Sequence, residues 1–220
     1  MKKSLSILLA VTILMLSLFS MNAFAAETKT DALFDAIEEN KEIAVTFRTG
    51  RSEEFGDSYS AVNTVYLKGE KIAYDLNNGT LTLRTFVDGE NLVSYIPAFP
   101  FVHMKVKEFS FGGVNLWDTI KNASDFTMEF LVFVKAYETE IDGVTYYVEE
   151  FSDRGSVINS FFYVGDELKI LKAQDFEKET IQYTYFEKVS LEVDDDVFEM
   201  PKISFDFTAV MKFFLSMFMA

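Results

Sequence analysis

The sequence predicts a mainly β, α+β domain: an antiparallel sheet of about ten to eleven strands with about two or three covering helices. Three observations carry this. Residues Val144 to Val189 read as four consecutive strands, Val144–Phe151, Ser156–Val164, Glu167–Ala173 and Glu179–Val189, each alternating with period two. Turn signals at Lys68-Gly69, Asn77-Asn78-Gly79, Asp88-Gly89 and Asp142-Gly143 separate short apolar runs at hairpin spacing. Long helical periodicity is scarce. Strict alternation puts Tyr146, Val148, Phe161, Tyr163, Leu168, Ile170, Ile181, Tyr183 and Tyr185 on one apolar face. Thr145, Ser160, Lys169, Gln182 and Lys188 then fall opposite, the pattern of a sheet wetted on one side only.

The chain opens with Lys2 and Lys3, an apolar run from Ile7 to Phe19, and the small-residue triplet Ala23-Phe24-Ala25. That is the pattern of a secretory signal peptide over residues 1–25, cleaved after Ala25. The apolar run is shorter than the ~20 residues of a spanning helix. The expected address is therefore extracytoplasmic, extracellular or periplasmic, with the mature chain soluble. Loss of the leader takes the net charge from -15 to -17, since it removes two lysines and no acid. So acidic a surface argues against nucleic acid and opposes anionic headgroups. Cysteine is absent, which excludes disulfides, thiol catalysis, zinc-thiolate sites and a lipid-modified N-terminal cysteine. With 24 phenylalanines in 220 residues, apolar material for a core is ample.

Taken in order, Thr30 is positioned to cap a helix over Asp31–Asn40, with Leu33, Phe34 and Ile37 on one face. Strands follow at Glu42–Arg48, Ser60–Leu67, Glu70–Leu76, Thr80–Val87 and Asn91–Ile96, where Pro97 ends the ladder. Alternation breaks down from Pro97 to Phe126, and the one pattern there is a helix at Asn115–Asn122 with Leu116, Trp117 and Ile120 inward. Met128–Tyr137 resumes the strands. Residues 26–206 read as a single domain. Phe207–Ala220 is an amphipathic helix, its Phe207, Val210, Met211, Phe214 and Phe218 recurring at helical spacing. Fourteen residues do not span a bilayer, and its lone Lys212 gives little pull toward a membrane surface.

Motifs of chemistry are few. The sole histidine, His103, has no G-x-S-x-G serine, no cysteine and no acid at a telling distance along the chain, so a structural role is expected. Gly112-Gly113 lacks the spacing and lysine of a phosphate loop. Asp194-Asp195-Asp196 lacks the alternating ligands and glycine of a calcium loop and reads as a solvated turn. No catalytic residue, metal or cofactor is expected.

The order of elements resembles the LolA-like superfamily. The residues that carry the likeness are the early helix and strand (Leu33 to Phe47), Asp88-Gly89 with Tyr95-Ile96-Pro97, and Phe161 to Leu168 with Ile181-Gln182-Tyr183. Val197-Phe198-Glu199-Met200-Pro201 closes the match. The superfamily includes periplasmic lipoprotein carriers and mycobacterial lipid-binding lipoproteins. The resemblance implies an unclosed antiparallel half-barrel whose helices lid an apolar concavity for acyl chains. It implies a non-enzymatic binding protein, with a lipid or a lipoprotein acyl chain as partner. A sensor or protein-interaction module of the same fold is the alternative, and a hydrolase a more distant one. The aromatic faces read either as filled core or as a slot. Tyrosine hydroxyls suit the mouth of a wet cavity, which favours a slot walled by Tyr74, Phe161, Tyr163, Tyr183 and Tyr185. Phe207, Met211, Phe214 and Phe218 would face it as a lid.

Overall fold

A computed structural model describes residues 28–50, 61–88, 91–106, 131–153, 155–201 and 204–208. Helix α1 (Lys29–Asn40) comes first, followed by strands β1 (Glu42–Gly50), β2 (Val62–Lys68), β3 (Lys71–Asn77), β4 (Thr82–Asp88), β5 (Asn91–Ile96) and β6 (Phe99–Val106). After them run β7 (Leu131–Ile141), β8 (Val144–Asp153), β9 (Val157–Val164), β10 (Glu167–Asp175), β11 (Thr180–Ser190) and β12 (Phe205–Asp206). All join one 12-stranded sheet in the order β12-β6-β5-β4-β3-β2-β1-β11-β10-β9-β8-β7. The sheet does not close on itself, so it is the open half-barrel expected. Long-range pairing of β1 with β11 splices two antiparallel meanders, and among the described residues only β12 pairs in parallel, on β6.

Helix α1 begins earlier than its composition suggests. Its cap is Thr28, not Thr30: the Thr28 hydroxyl accepts from the Asp31 N–H at 3.0 Å, and the Asp31 carboxylate accepts from the Thr28 N–H at 3.3 Å. This reciprocal pair satisfies two donors that a helix start leaves open. At the other end Lys41 takes a left-handed φ of 52° and returns its N–H to Ile37 at 2.9 Å, which turns the chain straight into β1.

Two strands lie where none was expected. Phe99–Val106 is β6, in the stretch where alternation fails, because its pairing with β5 slips between Tyr95 and Ile96 and a single side chain, His103, is buried along it. β12 is too short for any periodic signal. The predicted helix at Asn115–Asn122 lies outside the described residues.

The sheet is also buried on both faces rather than wetted on one. On the helix face, Phe34 and Ile37 pack with Ile43, Val45, Phe47, Val65, Leu67, Phe151, Phe161, Tyr163, Leu168, Leu171 and Phe186. Edge-on ring contacts order this core: Phe34 on Phe161 at 6.5 Å, Phe151 on Phe161 at 5.6 Å and Phe133 on Phe151 at 5.5 Å. The opposite face holds two clusters. One unites Ala73, Phe86, Val93 and Tyr95 with Val193, Val197 and Phe198 from the segment after β11. The other contains Tyr146, Val148, Phe162, Ile170, Tyr183 and Tyr185.

The Asp194-Asp195-Asp196 run is exposed, as expected of a solvated loop, and it is also tethered. It leads a 3-10 turn, Asp195–Phe198, that drives Val197 and Phe198 into the opposite face. Lys71 holds Asp195 at 3.0 Å and Lys68 holds it at 3.4 Å. The Lys71 hydrogen bond and both ammonium charges keep the Asp195 carboxyl below its ordinary range.

Candidate functional site

The helix face divides into a covered and an open half, and a buried acid anchors the helix that covers it. Glu149 on β8 is 0% exposed. It accepts from the Lys29 N–H at 2.8 Å, the Thr30 N–H at 2.9 Å and the Thr30 hydroxyl at 2.5 Å. A carboxylate at a helix start meets unpaired N–H groups and the positive end of the dipole, so its burial is compensated. Thr30 passes the network on to the Tyr163 hydroxyl at 2.9 Å. Burial pushes that hydroxyl well above the ordinary tyrosine value. Lys29 completes the clamp by reaching the Gly165 carbonyl at 2.6 Å and Asp166 at 2.8 Å in the β9–β10 turn. Together these bonds fix α1 over β8–β11 and β1.

Beyond Tyr74 the same face continues across β3–β6 with a different character. Cross-strand register places Tyr74 beside Thr85, Leu76 beside Leu83, Val87 beside Leu92, and Ser94 beside both Thr85 and Met104. Leu76, Val87, Leu92 and Met104 are only half-buried and Leu83 is exposed. Thr85 and Ser94 share a hydroxyl hydrogen bond of 2.9 Å along the floor. Tyr74 stands at the boundary, its hydroxyl donating to Asn63, and burial raises its pKa to about 12. The result is an apolar trough with a short polar line in its floor.

The five aromatic residues expected to form one wall do not share a face. Tyr74, Phe161 and Tyr163 belong to the helix face, whereas Tyr183 and Tyr185 stack on each other on the opposite face, ring centroids 6.0 Å apart. Tyr146, Val148 and Ile170 also lie opposite Phe161 and Tyr163. For Ile170, Tyr183 and Tyr185 the cause is a bulge in β10: Leu168 pairs with Tyr163 but Ile170 pairs with Phe162 and Tyr185, so one residue of phase is lost between them. Tyr146 and Val148 fall there instead because β8 pairs Val148 with Phe162 in unbroken register. Of the expected lid, Phe207 is partly exposed, and Met211, Phe214 and Phe218 lie outside the described residues.

Two groups had no visible signal in the sequence. Arg84 forms a two-pronged pair with Asp75, Nε to Oδ1 at 2.8 Å and Nη2 to Oδ2 at 2.7 Å, between Tyr66 and Tyr95 on the opposite face. The hydrogen bonds to Asp75 hold the guanidinium charged, well above its already high pKa. Its partner is nine residues away, directly across a hairpin, which is a spacing only the register reveals. His103 is buried and its Nδ1 lies 2.7 Å from the Ser204 hydroxyl. The two are separated by 101 positions, so no motif links them. Among the described residues its Nε2 is buried without a hydrogen-bond partner.

No family model matches the chain, and no curated protein matches its sequence. Solved structures do match. MucB in complex with MucA(peri) aligns at a TM-score of 0.42 and 12% identity, over 80% of this chain and 60% of that one. An uncharacterized conserved protein from Thermus thermophilus aligns at 0.40 and 10% identity, over 81% of this chain and 99% of that one. A domain named for outer membrane lipoprotein sorting, from Vibrio parahaemolyticus, aligns at 0.27 and 12% identity, over 75% and 95%. The chain thus spans less than two thirds of the MucB chain it matches. The open antiparallel sheet with a helix over one face is the architecture that the sequence predicts.

Proposed function

We propose that the protein is an exported, non-enzymatic binding protein that holds an apolar ligand, a lipid or the acyl chain of a lipoprotein, in the open half of its helix face. The observation that supports this reading is the abrupt change along one continuous surface. Under α1 the face is sealed core, while from Leu76 to Met104 it is leucine, valine and methionine left half-exposed. An acyl chain laid there gains about 0.8 kcal/mol per buried CH₂, offset by the cost of immobilising it. Methionine adapts its shape to such a ligand. In this reading Tyr74 borders the trough, whereas Phe161 and Tyr163 belong to the sealed core beneath α1. Tyr183 and Tyr185 would bind only from the opposite face. The lid from Phe207 onward remains part of the same proposal.

Extraction of the purified protein followed by mass spectrometry tests it. Wild type should carry lipid, and Leu92→Lys with Met104→Lys should lose it while keeping the circular dichroism of the parent. A lipid-free wild type that also fails to bind a fluorescent fatty acid would sink the proposal. A second reading, a protein-interaction module, has one observation in its favour: β7 is an outer strand that exposes Val132 and Val134.

A further inference from the structure

The corner where β6 meets β12 exposes aromatic surface on both sides of a sheet edge. Phe99 and Phe101 are each 59% exposed, Phe205 70% and Phe207 37%. Exposed Val102 lies in register with Phe205. Ile96 of β5 pairs with Phe99, and exposed Leu83 of the trough lies one position before the Arg84–Tyr95 pair. A contiguous apolar patch of this kind marks a contact with a partner or a membrane.

We propose that this corner docks on the interface of a zwitterionic lipid bilayer. Charge selects the occupant. The chain carries a net charge of -15, yet among the described residues of the corner, 99–106 and 204–208, one acid, Asp206, is balanced by one lysine, Lys105. The corner is therefore a neutral, apolar window in an acidic molecule, which can approach neutral headgroups and is held off anionic ones by the rest of the surface. A strand-adding polypeptide fits less well, because β12 already occupies the β6 edge. The Phe207 N–H donates to the His103 carbonyl at 2.8 Å, and the Lys105 N–H donates to the Thr208 hydroxyl at 2.6 Å. Asp206 is committed too, accepting from the Thr208 N–H at 2.9 Å. Rings standing on both faces of a thin edge suit a medium that surrounds the edge. The other outer strand differs: Val132 and Val134 of β7 are followed by Lys135, Glu138 and Glu140.

Flotation of the exported protein with phosphatidylcholine vesicles tests the assignment, beside Phe99→Ser/Phe101→Ser and Val132→Ser/Val134→Ser. Both pairs are well exposed, so thermal melts should match the parent, and all three proteins share one N-terminus. Wild type should float, the first variant should lose about tenfold of its bound fraction for two apolar groups removed, and the second should float like wild type. Phosphatidylglycerol in the vesicles should weaken binding. The proposal is overturned by a wild type that does not float, by equal loss in both variants, or by tighter binding to the anionic vesicles. It is also overturned if wild type is a dimer that Phe99→Ser/Phe101→Ser makes monomeric, which would assign the corner to a second copy of the chain. Lipid retained in the trough is read separately by extraction, so either reading can fail without the other.

Discussion

Glu149 shows how much one side chain can position. Its two oxygens take up three donors from the first turn of α1, so the register of the helix on the sheet is set by an acid 119 residues away from Thr30. Glu149→Gln keeps the volume but turns an NH₂ toward donors, and should destabilise by about 1–3 kcal/mol, the cost of buried polar groups left unpaired. Urea midpoints measure this, and a change within error would remove Glu149 as the clamp. Tyr163 also needs a different expectation from the one its strand phase suggests. It is fully buried beneath α1, so Tyr163→Asp should unfold the protein rather than selectively weaken a ligand. Tyr74 supplies a pH dependence. Its pKa stands at about 12 against an ordinary 10.0, so the folded state holds this proton more tightly than the unfolded chain does. The stability that follows is complete below pH 10.0 and is lost as pH rises through about 12. Absorbance at alkaline pH should show a group of tyrosines ionising late, among them Tyr74, Tyr137 and Tyr163, and Tyr74→Phe should lower the amplitude of that late step by one tyrosine. Ionisation of every tyrosine near the ordinary value with the fold intact would contradict it.

At the scale of elements, hairpins were legible and phase was not. Turn residues and alternation locate most strand ends to within about three residues, since each signal is local. Which face a residue occupies depends on bulges, and those depend on long-range pairing. Pairing slips occur at Thr46/Phe47, Phe133/Lys135 and Leu168/Ile170, and each reverses the alternation beyond it. This explains why Tyr183 and Tyr185 part company with Phe161; Arg84–Asp75 and His103–Ser204 are instead contacts between segments whose mutual register no local signal gives. The trough was missed for a related reason, as Leu83, Leu92 and Met104 come from strands whose alternation looked ordinary or absent. The β10 bulge gives a direct test. Deleting Lys169 removes the extra residue and leaves Leu168 and Leu171 two apart, still on the common face that packs against Tyr163 and Phe161, so cooperative unfolding should survive. Lys169→Ala keeps the extra residue and should change stability by under about 0.5 kcal/mol. Loss of cooperative unfolding in the deletion variant alone, measured by urea titration, would mean that the bulge itself is required.

The whole molecule is a sheet covered at two different places on its two faces. α1 seals the helix face over the meander β8–β11 with β1, and the 3-10 turn seals the opposite face over β2–β5. Those clusters already hold the large buried side chains, and the described part of the C-terminal segment lies outside them, at the β6 edge. Ending the chain at Asp206 therefore removes only edge contacts among the described residues: the Phe207 N–H bond to His103 and the Thr208 hydroxyl bond to Lys105. Each contributes on the order of 1 kcal/mol, so the shortened protein should still unfold cooperatively at a modestly lower urea midpoint. If Phe207 onward also covers the trough, the shortened protein should bind an apolar dye more rapidly than the parent. Unchanged dye binding with intact folding would discard the lid, and failure to fold would show that the segment completes the core.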